Sequence, residues 1–496
     1  MKKKILIVSV ISLVLVCLFF NFGFAKWTSL EENSKPFSGV TLRLIGESLP
    51  PLEGLKKVKA QFEEATGIKV EIEMYGHEEV IEKTSADFIG RTGIYDVVLN
   101  PHREIGKIVG NKWVVPLEHF YNNEDLRDPE LNFEGMFINK QWFEECCTYE
   151  DVIYALPFHF ISMYMWYRYD LFENPIERAN FEKKYGYELP SPPITMEQYM
   201  DTAEFFTRKK GEKLAGELLE DDFYGTAIQA ARHVATWYGW LNFLYSFGGR
   251  ELLVDKGSDY GKIVINSPEA VASLEYYKKL LEYSPPGTLS YTWDETQASQ
   301  QQSFVAQAIQ WDDATYAVED PSQSLVAGKM AFSGTPIEKE KITQIEGWSM
   351  FIPGSSKKQE AAWLFLQWCM GNDSQVAQML NGGESAVKST YNDEKIKNII
   401  YVPTAFYLKS GEVIKTRKVG DKTGLGVPET YLNAINPLTG DTTVSVIPKS
   451  TFPEQEWIVE KAELAVNYAL IGQKTPKEAL DWCQAELEKE LKGLVK

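Results

Sequence analysis

The chain has 496 residues, 24% of them charged, with 70 acidic against 51 basic side chains and a formal net charge of -19. Such a chain is repelled by phosphate backbones and anionic lipid, which excludes nucleic acid as a partner. It is also longer than one hydrophobic core can organise, so two domains or more are expected.

Lys2, Lys3 and Lys4 precede an apolar run from Ile5 to Phe20, and Gly23-Phe24-Ala25 offers small residues at both specificity positions of a signal-peptidase cut. Residues 1–25 therefore read as a secretory signal peptide. Cys17 follows Val16, which is not small, and the apolar run continues after it; both points argue against a lipoprotein cleavage site. An uncleaved anchor is the alternative. Removal of the three lysines takes the net charge to -22. No later segment has the length of apolar sequence that a membrane span requires. The remaining cysteines, Cys146, Cys147, Cys369 and Cys483, allow one bridge but make no disulfide framework, and their spacing matches no zinc site. Neither a metal nor a cofactor is expected.

The first unit begins at Gly39. Alternation makes VTLRLIGE a strand, and LEGLKKVKAQFEEATG is a helix with Leu52, Leu55, Val58, Phe62 and Ala65 on one face and Gly67 as its stop. IKVEIEMY is a second strand, a helix covers Val80 to Ile89, YDVVLN is a third strand, and HREIGKIVGNKWVVPL is a further helix running into an extended piece. Alternating strands and helices of this kind imply a parallel sheet covered on both faces. YALPFHFISMYMWYRYDLF then reads as two extended runs that cross to a second sheet and hairpin back.

A second helix-rich region follows. It contains ITMEQYMDTAEFFTRK with Thr195 as N-cap, a strand at FYGTAIQA, a helix ATWYGWLNFLYSFGG, a hairpin ending GKIVINS, and a helix PEAVASLEYYKKLLEY with Pro268 in its first turn. SYTWDETQASQQQSF is polar enough for a surface helix. VAQAIQWDD and AGKMAFSGTP return to strand character. Next, Trp348 to Ile352 form a short strand after Gly347, and a Pro353-Gly354 turn leads to a helix begun by Ser356 and Gln359 as a capping box and ended by Gly371.

The order GVTLRLIG, FEEATGIKVEIE, YDVVLNP, KWVVPL, YALPF, MWYRYDLFE, ITMEQYMDTAEFFT, INSPEAVASLEYYKKLL, LVAGKMAF and PGSSKKQEAAWLFLQW resembles the bacterial extracellular solute-binding proteins of family 1, receptors of carbohydrate ABC importers. The resemblance covers nearly the whole chain after the signal. It implies an α/β, two-lobed periplasmic-binding-protein fold of the maltose-binding type, joined by a hinge. It further implies a monomer that closes over a sugar or oligosaccharide and passes it to the permease subunits of an ABC transporter. The expected lobes are residues 38–155 with 305–345 and residues 156–304 with 346–496; the tail from Lys388 to Val446 is longer and richer in loops than the family pattern.

Ligands of open α/β sheets sit beyond the carboxyl ends of strands. That rule selects Glu47, His102, Arg103, Phe158, His159, Trp311 and Asp312. Sugars present apolar CH faces edged by hydroxyls and so call for aromatic platforms, which adds Trp348 and, one turn beyond His233, Trp237. Each has a plain structural reading as well: core packing for the tryptophans, hinge packing for Trp311 and Asp312, ion pairing for Glu47 and Arg103. A secreted glycoside hydrolase is the rival class, since it needs only two carboxylates at a fixed separation. No catalytic motif supports it: His77-Glu78-Glu79-Val80-Ile81 lacks the second histidine of a zincin helix. A polyol or a sugar phosphate is the alternative cargo.

Overall fold

The computed structural model describes residues 27–493 except 134, 139, 254–260, 321, 382–384 and 398–399, and between 402 and 454 only the pairs 408–409, 412–413, 427–428 and 444–445. The expected signal peptide and most of the long tail lie outside the described residues. Alternating apolar residues set β1 (Thr41–Glu47), β2 (Lys69–Tyr75) and β3 (Val97–Pro101) parallel to one another. Between β1 and β2 the expected helix is divided at Lys59 into α1 (Pro50–Val58) and α2 (Ala60–Thr66), and Gly67 ends it with a φ of 71°, where glycine has no Cβ to clash. The helix α3 (His77–Gly90) joins β2 to β3.

The run from Ala155 to Arg168 is one unbroken strand, β4, of 14 residues rather than the expected hairpin. The physical reason is in the residues: beyond Pro157 the run has neither Gly, Pro, Asn nor Asp with which to turn. There follow α4 (Met196–Phe206), β5 (Tyr224–Ala227), α5 (Val234–Ser246), α6 (Pro268–Lys279), α7 (Trp293–Gln301), β6 (Val305–Trp311), β7 (Met330–Ser333) and β8 (Ile345–Phe351). The chain continues through α8 (Gln359–Met370), α9 (Asn372–Leu380), α10 (Gln455–Leu470) and α11 (Pro476–Glu490). The main sheet runs β2-β1-β3-β8-β4-β6-β5, with β7 also on β4. It is mixed: β8 is antiparallel to both β3 and β4, and β4 is antiparallel to β6.

Two apolar cores flank this sheet, and β4 serves both. Its Leu156, Phe158, Tyr164 and Trp166 belong to the first core, while Ile161, Met163, Met165 and Tyr167 belong to the second. Successive strand side chains point to opposite faces, so one strand can serve two cores. The cores divide the chain differently from the expected boundaries. β6 pairs with β4 and β5 and sends Ala306, Ile309 and Trp311 into the second core, whereas β8, α8 and α9 pack Met350, Phe365, Leu366 and Met379 against the first. The reason is the insertion of β8 between β3 and β4, which carries everything just after it back to the first core. α10 and α11 pack in the second core through Ile458, Val466, Leu480 and Leu487.

Two local expectations fail in the stretch after β8. α8 starts at Gln359 with Lys358 as its N-cap and no side-chain cap. The Ser356 hydroxyl donates instead to Asp96 Oδ1 at 2.7 Å, a carboxylate that also holds Lys358 Nζ at 2.8 Å. Gly371 is extended, with φ -64° and ψ 143°, because it opens α9 directly instead of ending α8 with a left-handed turn. Gly347 is a true close approach: a Cβ there would stand 2.4 Å from the His159 carbonyl oxygen and 2.7 Å from Trp142. The four described cysteines are all buried, and none of them is joined in a disulfide.

Candidate ligand-binding cavity

The carboxyl ends of β1, β3 and β6 open on a cavity of about 210 Å³ between the two cores. From the first core's side come Glu47 at the end of β1, Ser48, Leu49 and Pro50 leading into α1, His77 at the start of α3, Pro101 at the end of β3 and Arg103 just after it. From the other side come Tyr238 of α5, Trp293, Asp294 and Gln297 of α7, and Gln310, Trp311 and Asp313 at the end of β6. β4 and β8 form the floor with Ile161, Glu346 and Trp348.

Aromatic rings pack edge to face along the walls. His77 stands perpendicular to Trp348, with centroids 5.4 Å apart, and meets Trp293 at 5.7 Å; Trp311 meets Tyr238 at 5.4 Å. The polar groups form a chain of contacts. Arg103 donates through Nε to Glu456 Oε1 of α10 at 3.0 Å and through Nη1 to the Tyr238 hydroxyl at 3.3 Å. Its Nη2 lies 3.2 Å from His77 Nε2, and His77 Nδ1 lies 2.9 Å from Glu47 Oε2. A guanidinium only donates, so Nε2 must be the accepting nitrogen. The proton then sits on Nδ1 and points at Glu47. His77 in this arrangement is a neutral ring that orients the Glu47 carboxylate without cancelling its charge. Glu346 accepts from the Tyr238 hydroxyl and lies against His102.

Burial and neighbouring charges separate these groups. Burial, then the charges of Glu47 and Asp294, push the Asp313 carboxyl up to about 7. Asp294 is raised as well, by burial and then by Glu295 and Glu47. Burial alone would raise Glu346, but His102 and Arg103 hold its carboxyl below the ordinary range. Burial works against the charged form of Arg103, yet Glu456 and Tyr238 keep it protonated well above the ordinary guanidinium value.

Of the residues that the sequence selects, Trp348, Trp311, Glu47 and Arg103 line the cavity, and six do not, among them Phe158, which packs in the first core. Trp237 is in the second core, donating through its indole nitrogen to the buried Glu251 at 2.7 Å. Asp312 is fully buried and accepts the Ser162 amide at 2.9 Å, leaving its neighbour Asp313 to face the cavity. His102 is turned onto Glu346 behind the wall. His159 is 1% exposed and its ring makes no hydrogen bond; burial lowers it to about 3, so it is a neutral packing ring. His233 caps α5 by accepting the Ala235 amide and supports the wall from behind, 4.9 Å from Trp293.

Sequence reasoning missed His77, Tyr238, Trp293, Asp294, Asp313 and Glu346. Only Trp293-Asp294 had a usable signal: Thr292 and Glu295 form a capping box, and an aromatic ring in the first turn of an otherwise polar helix has something to cover. The expected surface helix α7 is in fact one wall of the cavity.

Two cores sharing a mixed sheet, with an aromatic cavity at the strand ends between them, define a ligand receptor of the periplasmic-binding type. The sequence profile of the bacterial extracellular solute-binding proteins matches residues 46–376, and the chain belongs to that family. Among curated relatives it is 22% identical over 371 residues to a probable amino-acid ABC transporter periplasmic-binding protein of Sinorhizobium fredii, covering 73% of this chain and 76% of the relative. It is 21% identical to the erythritol/L-threitol-binding protein of Mycolicibacterium smegmatis, covering 73% of each. Among solved structures, an ABC transporter solute-binding protein of Agrobacterium radiobacter in complex with ribitol aligns with a TM-score of 0.71 and 25% identity, over 92% of this chain and all of that one. Maltose-bound MalE3 of T. maritima aligns at 0.68 and 20% identity over 91% of this chain and all of that one, a likeness of fold. These relatives are named as binding proteins, not enzymes. Among the described residues no helix is long and apolar enough to cross a membrane.

Proposed function

We propose that this protein captures a small polyhydroxylated solute, a monosaccharide or a polyol, in the cavity between its two cores and delivers it to the permease subunits of an ABC importer. It would do so as an exported monomer, in the periplasm or at the outer face of the cytoplasmic membrane. The observation that carries this reading is the wall chemistry: the three indoles of Trp293, Trp311 and Trp348 stand beside the acceptors Glu47, Asp294 and Asp313 and the amides Gln297 and Gln310. Indole faces suit CH surfaces, and carboxylates suit hydroxyl donors. The volume of about 210 Å³ is room for a solute of at least one sugar unit.

The same walls disfavour a sugar phosphate. Four carboxylates line the cavity against one guanidinium, and Glu456, Tyr238 and His77 already occupy that guanidinium. Relatives named for erythritol/L-threitol and ribitol support a short polyol. The test is calorimetric titration with pentitols, hexitols and common monosaccharides, paired with small-angle scattering. Binding of at least one with recovery of the intact ligand, and compaction on saturation, is the expected result. Silence across the panel, or protein-dependent cleavage of offered oligosaccharides, would end this reading.

A further inference from the structure

We infer that the solute carries a protonated amino group alongside its hydroxyls, as an amino sugar or an amino polyol does. The inference rests on the polyhydroxylated reading above and narrows it. Three carboxylates from three separate elements converge on the cavity: Glu47 at the end of β1, Asp294 in the first turn of α7, and Asp313 just after β6. They are close enough to disturb one another, since the charge of Glu47 raises both Asp294 and Asp313. Among the described residues nothing cationic in the lining is free to answer them. His77 holds Glu47 as a neutral ring, because its other nitrogen must accept from Arg103. Arg103 itself is taken up by Glu456 of α10, and the fourth lining carboxylate, Glu346, is satisfied by Tyr238 and His102. Among the described residues the lining contains no lysine.

The remaining walls suit a cation equally well. Trp293, Trp311 and Trp348 present ring systems around the same space, and a cation over an indole face gains about 0.5–2 kcal/mol according to its desolvation. A hydroxyl donates one hydrogen bond and leaves the mutual repulsion of the carboxylates in place. An ammonium donates three and cancels one charge. A cavity with unanswered carboxylates on three elements and indoles between them therefore discriminates for the amine.

The test uses matched pairs that differ only in amine for hydroxyl: glucosamine with glucose, galactosamine with galactose, and 1-amino-1-deoxysorbitol with sorbitol. Each is titrated calorimetrically into the purified protein at pH 7. In at least one pair the amino member should bind ten-fold tighter or better. Asp313→Asn and Asp294→Asn should each shrink that ratio at least three-fold, while Gln297→Ala weakens both members alike; circular dichroism checks that each variant is folded. Neutral members binding as tightly as their amines, or a ratio that neither Asn variant moves, would overturn the amine inference and leave the polyhydroxylated reading standing. No binding by any member would remove that reading, and the inference with it.

Discussion

Arg103 is the residue whose replacement most directly tests how the two cores are tied together. It follows β3 of the first core and holds Glu456 of α10 at 3.0 Å and Tyr238 of α5 at 3.3 Å, both from elements of the second. Arg103→Met keeps the apolar stem and removes the guanidinium. The charge-assisted bond to Glu456 is worth about 1.5–3 kcal/mol, and each of the longer bonds to Tyr238 and His77 about 0.5–1 kcal/mol. Glu456 is 35% exposed, so its carboxylate recovers part of its hydration and the sum must be discounted. A loss of about 2–3 kcal/mol in urea unfolding is expected. Glu456→Gln alone should cost less, since burial favours its neutral form even though Arg103 pulls its carboxyl down to about 2. The double variant then isolates the pair, with an expected coupling of about 1–2 kcal/mol. A coupling within about 0.3 kcal/mol of zero, at an unchanged m-value, would refute the idea that this pair fastens one core to the other.

Trp348→Ala should lower both quantities at once, about 3–5 kcal/mol in stability because the ring is 4% exposed and packed in the first core, and ten-fold or more in affinity because it lines the cavity; intact affinity after correction for unfolding would remove it from the site. Trp237→Phe should cost about 1–3 kcal/mol by removing the shorter of the two hydrogen bonds to the buried Glu251, the other coming from Tyr245, with no change in ligand affinity by calorimetry. Gly347→Ala should destabilise by about 1–3 kcal/mol in denaturant titration, because the new Cβ meets the His159 carbonyl oxygen of β4, which is backbone and cannot swing aside; a change below about 0.5 kcal/mol would mean that the β4–β8 register yields. Asp313, raised to about 7, binds its proton more tightly when folded than unfolded, so its contribution favours the native state below pH 4 and is lost as pH rises to 7. Unfolding curves should therefore show wild type losing ground to Asp313→Asn between pH 4 and 8, by up to about 4 kcal/mol; a constant difference across that range would contradict the assignment.

The strands and helices were legible because their apolar spacing is regular, and Glu47, Arg103 and Trp311 could be found because the ends of strands are where such folds place ligands. Single-residue parity was not legible. His102 and Arg103 follow the same strand, as do Asp312 and Asp313, and only backbone geometry decides which member of each pair turns inward. Trp237 misled for another reason: α5 is buried all round, so helical spacing marks no special face, and both Trp237 and Trp240 are core. The partition of the chain between cores was hidden because it depends on β8 entering between β3 and β4, a pairing of residues more than 170 positions apart. Glu346 became part of the cavity by that same insertion, and no local pattern announces it.

The shared strand β4 also sets the order in which the protein can be completed as it is made. Its outward residues wait for partners that arrive late: the first core lacks Phe365 and Met379 until α8 and α9 exist, and the second lacks Ile458, Leu480 and Leu487 until α10 and α11 do. At synthesis rates of about 5–20 residues per second, β4 stands unfinished on both faces for roughly 10 to 40 seconds and on its second face for roughly 15 to 65 seconds. During that interval Met163, Met165 and Trp166 are an apolar ribbon without cover, and any factor that holds the growing chain open has this ribbon to grip.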